Sequence, residues 1–361
     1  MKYIKGYDAF RAVAVCMVFY SHTSSFDFIA DSVERIRIEM ICSGGTGVRI
    51  YFSLSGFLIT LLLMKEKLLT GKILIKNFYI RRFLKLTPPL ILYYSVLILL
   101  MSFGFLQQQW VGVSISFFYL FNFVPRVFYT SELGPTWTLG VEEQFYVLWP
   151  LIVSFFTNKI VRISISIIAI CWFADLYIPR FVFHYKNSYH TLNSYFFIER
   201  WFFPACAPII TGAVFSYLLV TNKEKWRLFF FKKSWPFIAG CLLFFLPIFI
   251  PKSFLSLVFL LKIIQAIGIS TLLVWIFFNQ NNSLIRLLEF KPLSYIGKIS
   301  YGLYVYHGIF IGTGPGLLFI QQYPLNVFLT VGVAILSYEF YEKPILKLKD
   351  KFTLLKKTSV T

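Results

Sequence analysis

Apolar stretches dominated by Phe, Leu, Ile and Val recur from one end of the chain to the other, broken by segments that hold Lys, Arg, Gly and Pro. Each is about 17–25 residues long, the length a helix needs to cross a hydrocarbon core about 30 Å thick. Backbone polar groups inside lipid must be satisfied within the segment, so such runs are read as helices. The pattern predicts an all-α, polytopic transmembrane helical bundle of about ten spanning helices. They lie near 9–29, 46–64, 86–105, 141–157, 160–178, 203–220, 235–250, 254–278, 300–319 and 323–341. An eleventh apolar segment, 111–124, is only about fourteen residues long and is read as a re-entrant half-helix, since spans that short rarely cross. The alternation of an outer-membrane barrel strand is absent.

Composition agrees. The 361 residues are 58% hydrophobic and 20% aromatic, with mean hydropathy +0.70. The net charge of +19 invites a nucleic-acid partner. However, the basic residues concentrate in alternate loops, above all in 65–85, as the positive-inside effect requires. That arrangement places both termini in the cytoplasm and argues for no nucleic-acid partner. The N-terminal run is no cleavable signal peptide, because it carries Arg11 and aromatics and lacks a small-residue cleavage site. Residues 1–341 read as one transmembrane domain and 342–361 as a short basic cytoplasmic tail, with no further domain expected after it. Five cysteines form no CxxC and four lie in apolar segments, so they read as small core hydrophobes. His22, His184, His190 and His307 show no metal-ligand spacing, so no metal is expected.

Chemistry shows where polar residues intrude on this background. The first helix, YDAFRAVAVCMVFYSHTSSFDF at 7–28, carries Arg11 and His22. Eleven residues are about 16 Å of helix and return to within about 20° of the starting direction, so both occupy one face. Arg11 alone can be a snorkelling anchor; an intramembrane imidazole on the same face points to a functional site. At the start of the third helix, Arg81, Arg82 and Lys85 form either a topology anchor or a site for a cytosolic anionic ligand such as a phosphate group, with Arg82 and Lys85 on one face. Glu142 and Glu143 are placed in the first turn of the fourth crossing. There they either answer the helix dipole or, on the same outer side as His22, orient its imidazole. The first outer loop is acidic (Asp27, Asp31, Glu34, Glu39). The outer loop 179–202 is aromatic and suits sugar contacts or an interfacial belt. Lys262 and Gln265 are expected to face the bundle interior, and Tyr301, Tyr304 and His307 lie near one another on the ninth helix.

Taken together, these blocks resemble the bacterial acyltransferase-3 family of integral-membrane O-acyltransferases. The resemblance runs in order through Arg11-x10-His22, GVRIYFSLSGFLIT (47–60), RRFLKLTPP (81–89), PTWTLGVEEQFYVLWP (135–150), IGKISYGLYVYHGIF (296–310) and SYEFYEKPIL (337–346). It implies transfer of an acyl group, usually acetyl, from cytoplasmic acetyl-CoA as co-substrate to a sugar hydroxyl of a surface polysaccharide, such as O-antigen, or its lipid-linked precursor, at the bacterial inner membrane. It also implies roles: His22 as base or transient acyl carrier supported by Glu142 and Glu143, Arg11, Arg81, Arg82 and Lys85 on the donor, and Tyr301 and His307 toward the acceptor. Two positions depart from the family pattern, Arg49 where an acidic residue is frequent and Lys85 where a second arginine is frequent. The alternative function is a glycolipid or polysaccharide transporter without acyl transfer. Against it stands the absence of an internal repeat.

Overall fold

Some helix ends carry their own sequence signal, a capping side chain or a glycine, while others have no side-chain cap. The structure is a computed structural model and describes residues 3–22, 43–185, 188–250, 255–310 and 318–352. The acidic positions Asp27, Asp31, Glu34 and Glu39 and the end of the basic tail lie outside the described residues. In chain order the main elements are α1 (Tyr7–His22), α2 (Gly44–Thr70), α3 (Ile75–Ser102), α4 (Trp110–Phe117), α5 (Thr136–Phe155) and α6 (Ile160–Tyr177). They continue with α7 (Phe202–Thr221), α8 (Lys223–Phe230), α9 (Trp235–Phe249), α10 (Leu255–Phe278), α11 (Lys291–Phe310) and α12 (Leu325–Leu336). Ser43 caps α2 by accepting from the Thr46 amide at 3.2 Å, and Gly71, with φ 73°, ends it in the left-handed conformation. A π-helical stretch, Ser337–Glu342, continues α12 into a final short helix, Lys343–Leu348.

A polytopic helical bundle accounts for this arrangement, with two refinements. Among the described residues five helices are long and apolar enough to cross a membrane, or six if α8 and α9, bent by 87°, form one broken span. The other expected crossings are shorter than a bilayer-spanning helix or carry too much polarity: α1 has 16 residues, α12 has 12, and α5 and α11 carry the Glu, Lys, Tyr and His positions singled out above. Within this helical fold the loop 179–202 adds a short antiparallel hairpin, β1 (Val182–Tyr185) and β2 (Ser188–Thr191), with Phe183 opposite His190 and His184 opposite Tyr189. The aromatic and β-branched residues of the two strands favour it.

The half-helix expected at 111–124 is α4, eight residues followed by a 3₁₀ turn. At 1.5 Å per residue, α4 reaches only about 12 Å. Gln144 of α5 holds this segment, donating to the Asn122 side chain at 2.9 Å and to the Tyr119 carbonyl at 3.0 Å. On the outside of the bundle, Phe155, Phe249 and Phe340 are more than 70% exposed, an apolar surface that suits lipid and not water. Inside, Trp149 is fully buried and donates to Thr60 at 2.8 Å, joining α5 to α2.

The site depends on how α1 is held. It packs between α2 and α11. The backbone approach is so close that a Cβ on Gly297 of α11 would lie 2.0 Å from the Asp8 carbonyl oxygen, and one on Gly47 of α2 would lie 2.5 Å from that of Ala14. Tyr51 of α2 adds a hydrogen bond to the Arg11 carbonyl, at 3.1 Å. Replacing either glycine with valine overpacks this contact, at a cost of about 1–3 kcal/mol. We expect Gly47→Val and Gly297→Val to lower the melting temperature of the detergent-solubilised protein. Gly332→Ala, where an added Cβ meets nothing within 4 Å, is expected not to lower it.

Candidate active site

Arg11 and His22 line two adjoining cavities on the side of α1 that meets α2 and α11. The first, of about 300 Å³, is bordered by Arg11, Arg82, Lys85, Lys298 and Lys349, with Asp8 and Glu142 as its carboxylates. The second, of about 330 Å³, contains His22, His307, Arg200, Tyr129, Trp137 and Ser21. Val48 and Tyr304 border both, so the cavities meet at these two side chains. Tyr304 is fixed there by a 2.7 Å hydrogen bond shared with Thr138 and by ring contacts to Tyr51 and His307.

In the first cavity, Arg11 is paired with Asp8, Nη1 to Oδ1 at 2.6 Å, an i,i+3 pair on one helix face. Asp8 was not singled out from the sequence, although this spacing marks it. Arg82 lies over the Tyr146 ring at 5.1 Å and the Phe78 ring at 5.5 Å, which leaves its charge to be answered by the cavity. Lys85, one turn on, shares that face, as the i,i+3 spacing predicts. Tyr301 also borders this cavity and donates to the Leu86 carbonyl at 3.1 Å.

Arg81 points elsewhere. Consecutive helix residues diverge by about 100°, and α3 begins at Ile75, so Arg81 turns into the protein. There it pairs with Glu66 at 3.0 Å and donates to the Phe352 carbonyl at 2.8 Å. Glu66 is itself buried and accepts the Leu74 amide at 2.9 Å, tying the α2–α3 turn to the start of α3. Arg81 therefore locks the turn and does not border the cation-lined cavity.

Glu142 and Glu143 are also displaced from their expected place. α5 starts at Thr136, so the glutamates stand in its second turn, about 9 Å beyond the helix start. That depth takes Glu142 past the His22 cavity and into the cation-lined one, where it accepts from Ser55 at 2.7 Å and Tyr146 at 3.3 Å. Glu143, turned by another residue, borders a separate apolar groove with Tyr94, Phe117, Tyr119 and Arg82.

Around His22 the arrangement is aromatic and cationic. The His22 and His307 rings stack with centroids 5.6 Å apart, and His307 Nδ1 meets the Tyr304 carbonyl. Arg200 comes from the turn before α7 and lies against Phe197, Tyr129 and Trp137. Loop composition alone did not single it out; its signal is that it is one of the few basic residues on the side that the charge bias leaves poor in them. Gln265 faces the interior as expected, accepting from Arg49 and donating to the Phe244 carbonyl at 3.1 Å, while Lys262 pairs with Asp175 at 3.1 Å.

Chemically, the first cavity suits a ligand with several negative charges. The second brings an imidazole, a guanidinium and aromatic faces to one space, where a hydroxyl can be deprotonated and a sugar ring stacked. Comparison with known proteins fits this division. A family model described as an acyltransferase domain matches residues 4–339. The peptidoglycan O-acetyltransferase OatA of Listeria monocytogenes serovar 1/2a is 27% identical, over 96% of this chain and 56% of that protein. The O-acetyltransferase OatA of Staphylococcus aureus strain NCTC 8325 is 26% identical, over 96% of this chain and 58% of that protein. The chain thus spans a little over half the length of these relatives. No solved structure matches it.

The two arginines of the RR pair should separate on mutation. Breaking a buried pair costs about 3–5 kcal/mol. We therefore expect Arg81→Ala and Glu66→Ala each to lower the melting temperature sharply, and the double variant to lose less than their sum. Arg82→Ala is expected to leave the melting temperature much closer to the parent. Thermal unfolding of the four proteins in detergent checks this.

Proposed function

Because the chain belongs to the acyltransferase-3 family, we propose that it is a membrane O-acyltransferase that takes an acetyl group from acetyl-CoA and delivers it to a sugar hydroxyl of a cell-envelope glycan. The observation that carries this reading is the meeting of a cation-lined cavity and an imidazole-bearing cavity at Tyr304 and Val48, along one face of α1. The charge balance of the first cavity, five cationic side chains against two carboxylates, fits the phosphates of a CoA donor. Arg82 and Lys85 supply charge on the face opposite Arg11, and Glu142, fixed by Ser55 and Tyr146, keeps that cluster from being uniformly repulsive. With the loop 65–85 in the cytoplasm, the donor enters from the cytoplasmic side. The protein then sits in the bacterial cytoplasmic membrane with both termini inside; the ten-crossing arrangement belongs to this topology.

In the second cavity His22 acts as the general base. Neutral imidazole takes the proton of the sugar hydroxyl as its oxygen attacks the thioester carbonyl. The tetrahedral intermediate collapses by breaking the C–S bond, and the departing thiolate receives the proton back from the imidazolium. The thioester supplies the driving force. Tyr129 and Trp137 border the same cavity and give it the aromatic walls that suit a sugar. A surface polysaccharide, its lipid-linked precursor and peptidoglycan all present such hydroxyls. The peptidoglycan acceptor named for the Listeria relative adds that class to those considered for this chain.

The test is acetate released by mild base from purified envelope glycan. Cells carrying the chain should yield more ester-linked acetate than cells lacking it, and His22→Ala, at equal membrane abundance, should fall to the level of cells without the protein. Full acetylation with His22→Ala overturns the base role. No acetate difference between cells with and without the chain favours a transporter. A second expectation concerns the donor: Arg82→Ala and Lys85→Ala should each raise KM for acetyl-CoA about tenfold, the order of one charge-assisted contact of about 1.5 kcal/mol, with a smaller change in KM for the glycan.

A further inference from the structure

The guanidinium of Arg200 is held in the His22 cavity with one arm free. Its plane lies over Phe197 at 4.0 Å and Tyr129 at 4.9 Å, with Trp137 at 5.6 Å, so its position is set by packing. The nearest carboxylate, Glu199, approaches only to 3.9 Å from Nε, beyond hydrogen-bond range, and its side chain is half exposed. Nη1 is buried and, among the described residues, has no hydrogen-bond partner. Among the described residues no carboxylate borders this cavity. A buried charged N–H left unpaired is among the more costly features a fold can retain. It becomes favourable only when negative charge arrives beside it.

We infer that Arg200 is the oxyanion-binding residue of the transfer step, an inference that rests on the acyltransfer reading above. As the sugar oxygen bonds to the thioester carbon and its proton passes to His22, the carbonyl π pair moves onto oxygen. That O⁻ is received by Nη1 of Arg200, and when the C–S bond breaks the charge leaves with the thiolate. Three other polar side chains of the cavity are committed elsewhere: Tyr304 shares its hydroxyl with Thr138, Ser21 donates to the Val18 carbonyl, and His307 Nδ1 meets the Tyr304 carbonyl. Arg200 thus couples a preset position to an unspent donor, which is what electrostatic stabilisation of a transition state requires.

The experiment uses the full chain in detergent, with acetyl-labelled acetyl-CoA as donor and envelope glycan, stripped of its esters by mild base, as acceptor. Arg200→Gln should lower kcat by about 10²–10³-fold, the loss typical of one oxyanion donor, with KM for donor and glycan changed less than about threefold. Arg200→Lys keeps the charge but loses the planar fork, and should lower kcat at least tenfold with both KM values held. It carries the test if the glutamine variant fails to fold. A raised KM for the glycan with kcat intact overturns the inference and makes Arg200 an acceptor anchor. Unchanged kinetics in a folded variant also overturn it. If the unsubstituted protein transfers no label to the glycan, the acyltransfer reading itself falls, and this inference with it.

Discussion

The placement of α1 is the constraint on which the site depends. Its one polar face must carry a guanidinium and an imidazole through an apolar bundle without exposing either to lipid. The close backbone approaches at Gly47 and Gly297 leave no room for lipid between α1 and its neighbours. Asp8 offsets the charge of Arg11 from the same face, and His307 covers one side of His22. The eleven-residue interval then becomes a fixed length of about 16 Å between the two groups. Because that length is set by a helix, it does not depend on the conformation of any loop.

Much of this was legible in the sequence, and the reasons are geometric. Arg11 and His22 share a face because eleven residues are close to three whole turns. Arg82 and Lys85 share a cavity because they are three apart, and α4 stays short because its apolar run is short. What escaped has equally definite causes. Glu142 and Glu143 were placed beside His22 because their helix was started at the apolar run; it starts at Thr136, and the extra turn carries Glu142 into the other cavity. Arg81 was grouped with Arg82 by adjacency, although adjacent helix positions point in different directions. Glu66, which takes Arg81 out of the site, follows α2's apolar run and resembles an ordinary interfacial charge. Arg200 comes from a short irregular turn, where no periodicity reports direction.

The helices that carry the most chemistry are also those least like membrane spans. α2, α3, α6, α7 and α10 lie in the segments long and apolar enough to cross. α1, α5 and α11 contribute Arg11, His22, Glu142, Lys298, Tyr304 and His307 to the cavities and do not meet that test. Their polar side chains line internal space, so the hydropathy of the sequence understates how well they fit within the bundle. Apolar length alone counts five spanning helices among the described residues, or six with the bent pair, and leaves out these three. The apolar helices are not simply the lipid-facing ones, since the spanning windows of α2 and α7 are 67% buried within the bundle.

The relocation of Glu142 also changes how His22 must work. A carboxylate beside the imidazole would stabilise imidazolium and suit a base that holds its proton for long. Among the described residues bordering the His22 cavity there is no carboxylate; the neighbours include His307, Arg200 and aromatic rings. In the transfer proposed for this chain, the proton taken from the hydroxyl is returned to the departing thiolate. The carboxylate instead stands among Arg11, Arg82 and Lys85. There it moderates the repulsion of cations that must stay crowded whether or not a polyanionic donor is bound. On the proposed acyl transfer, one cavity along α1 binds charge and the other moves a proton, and the two meet at Tyr304 and Val48.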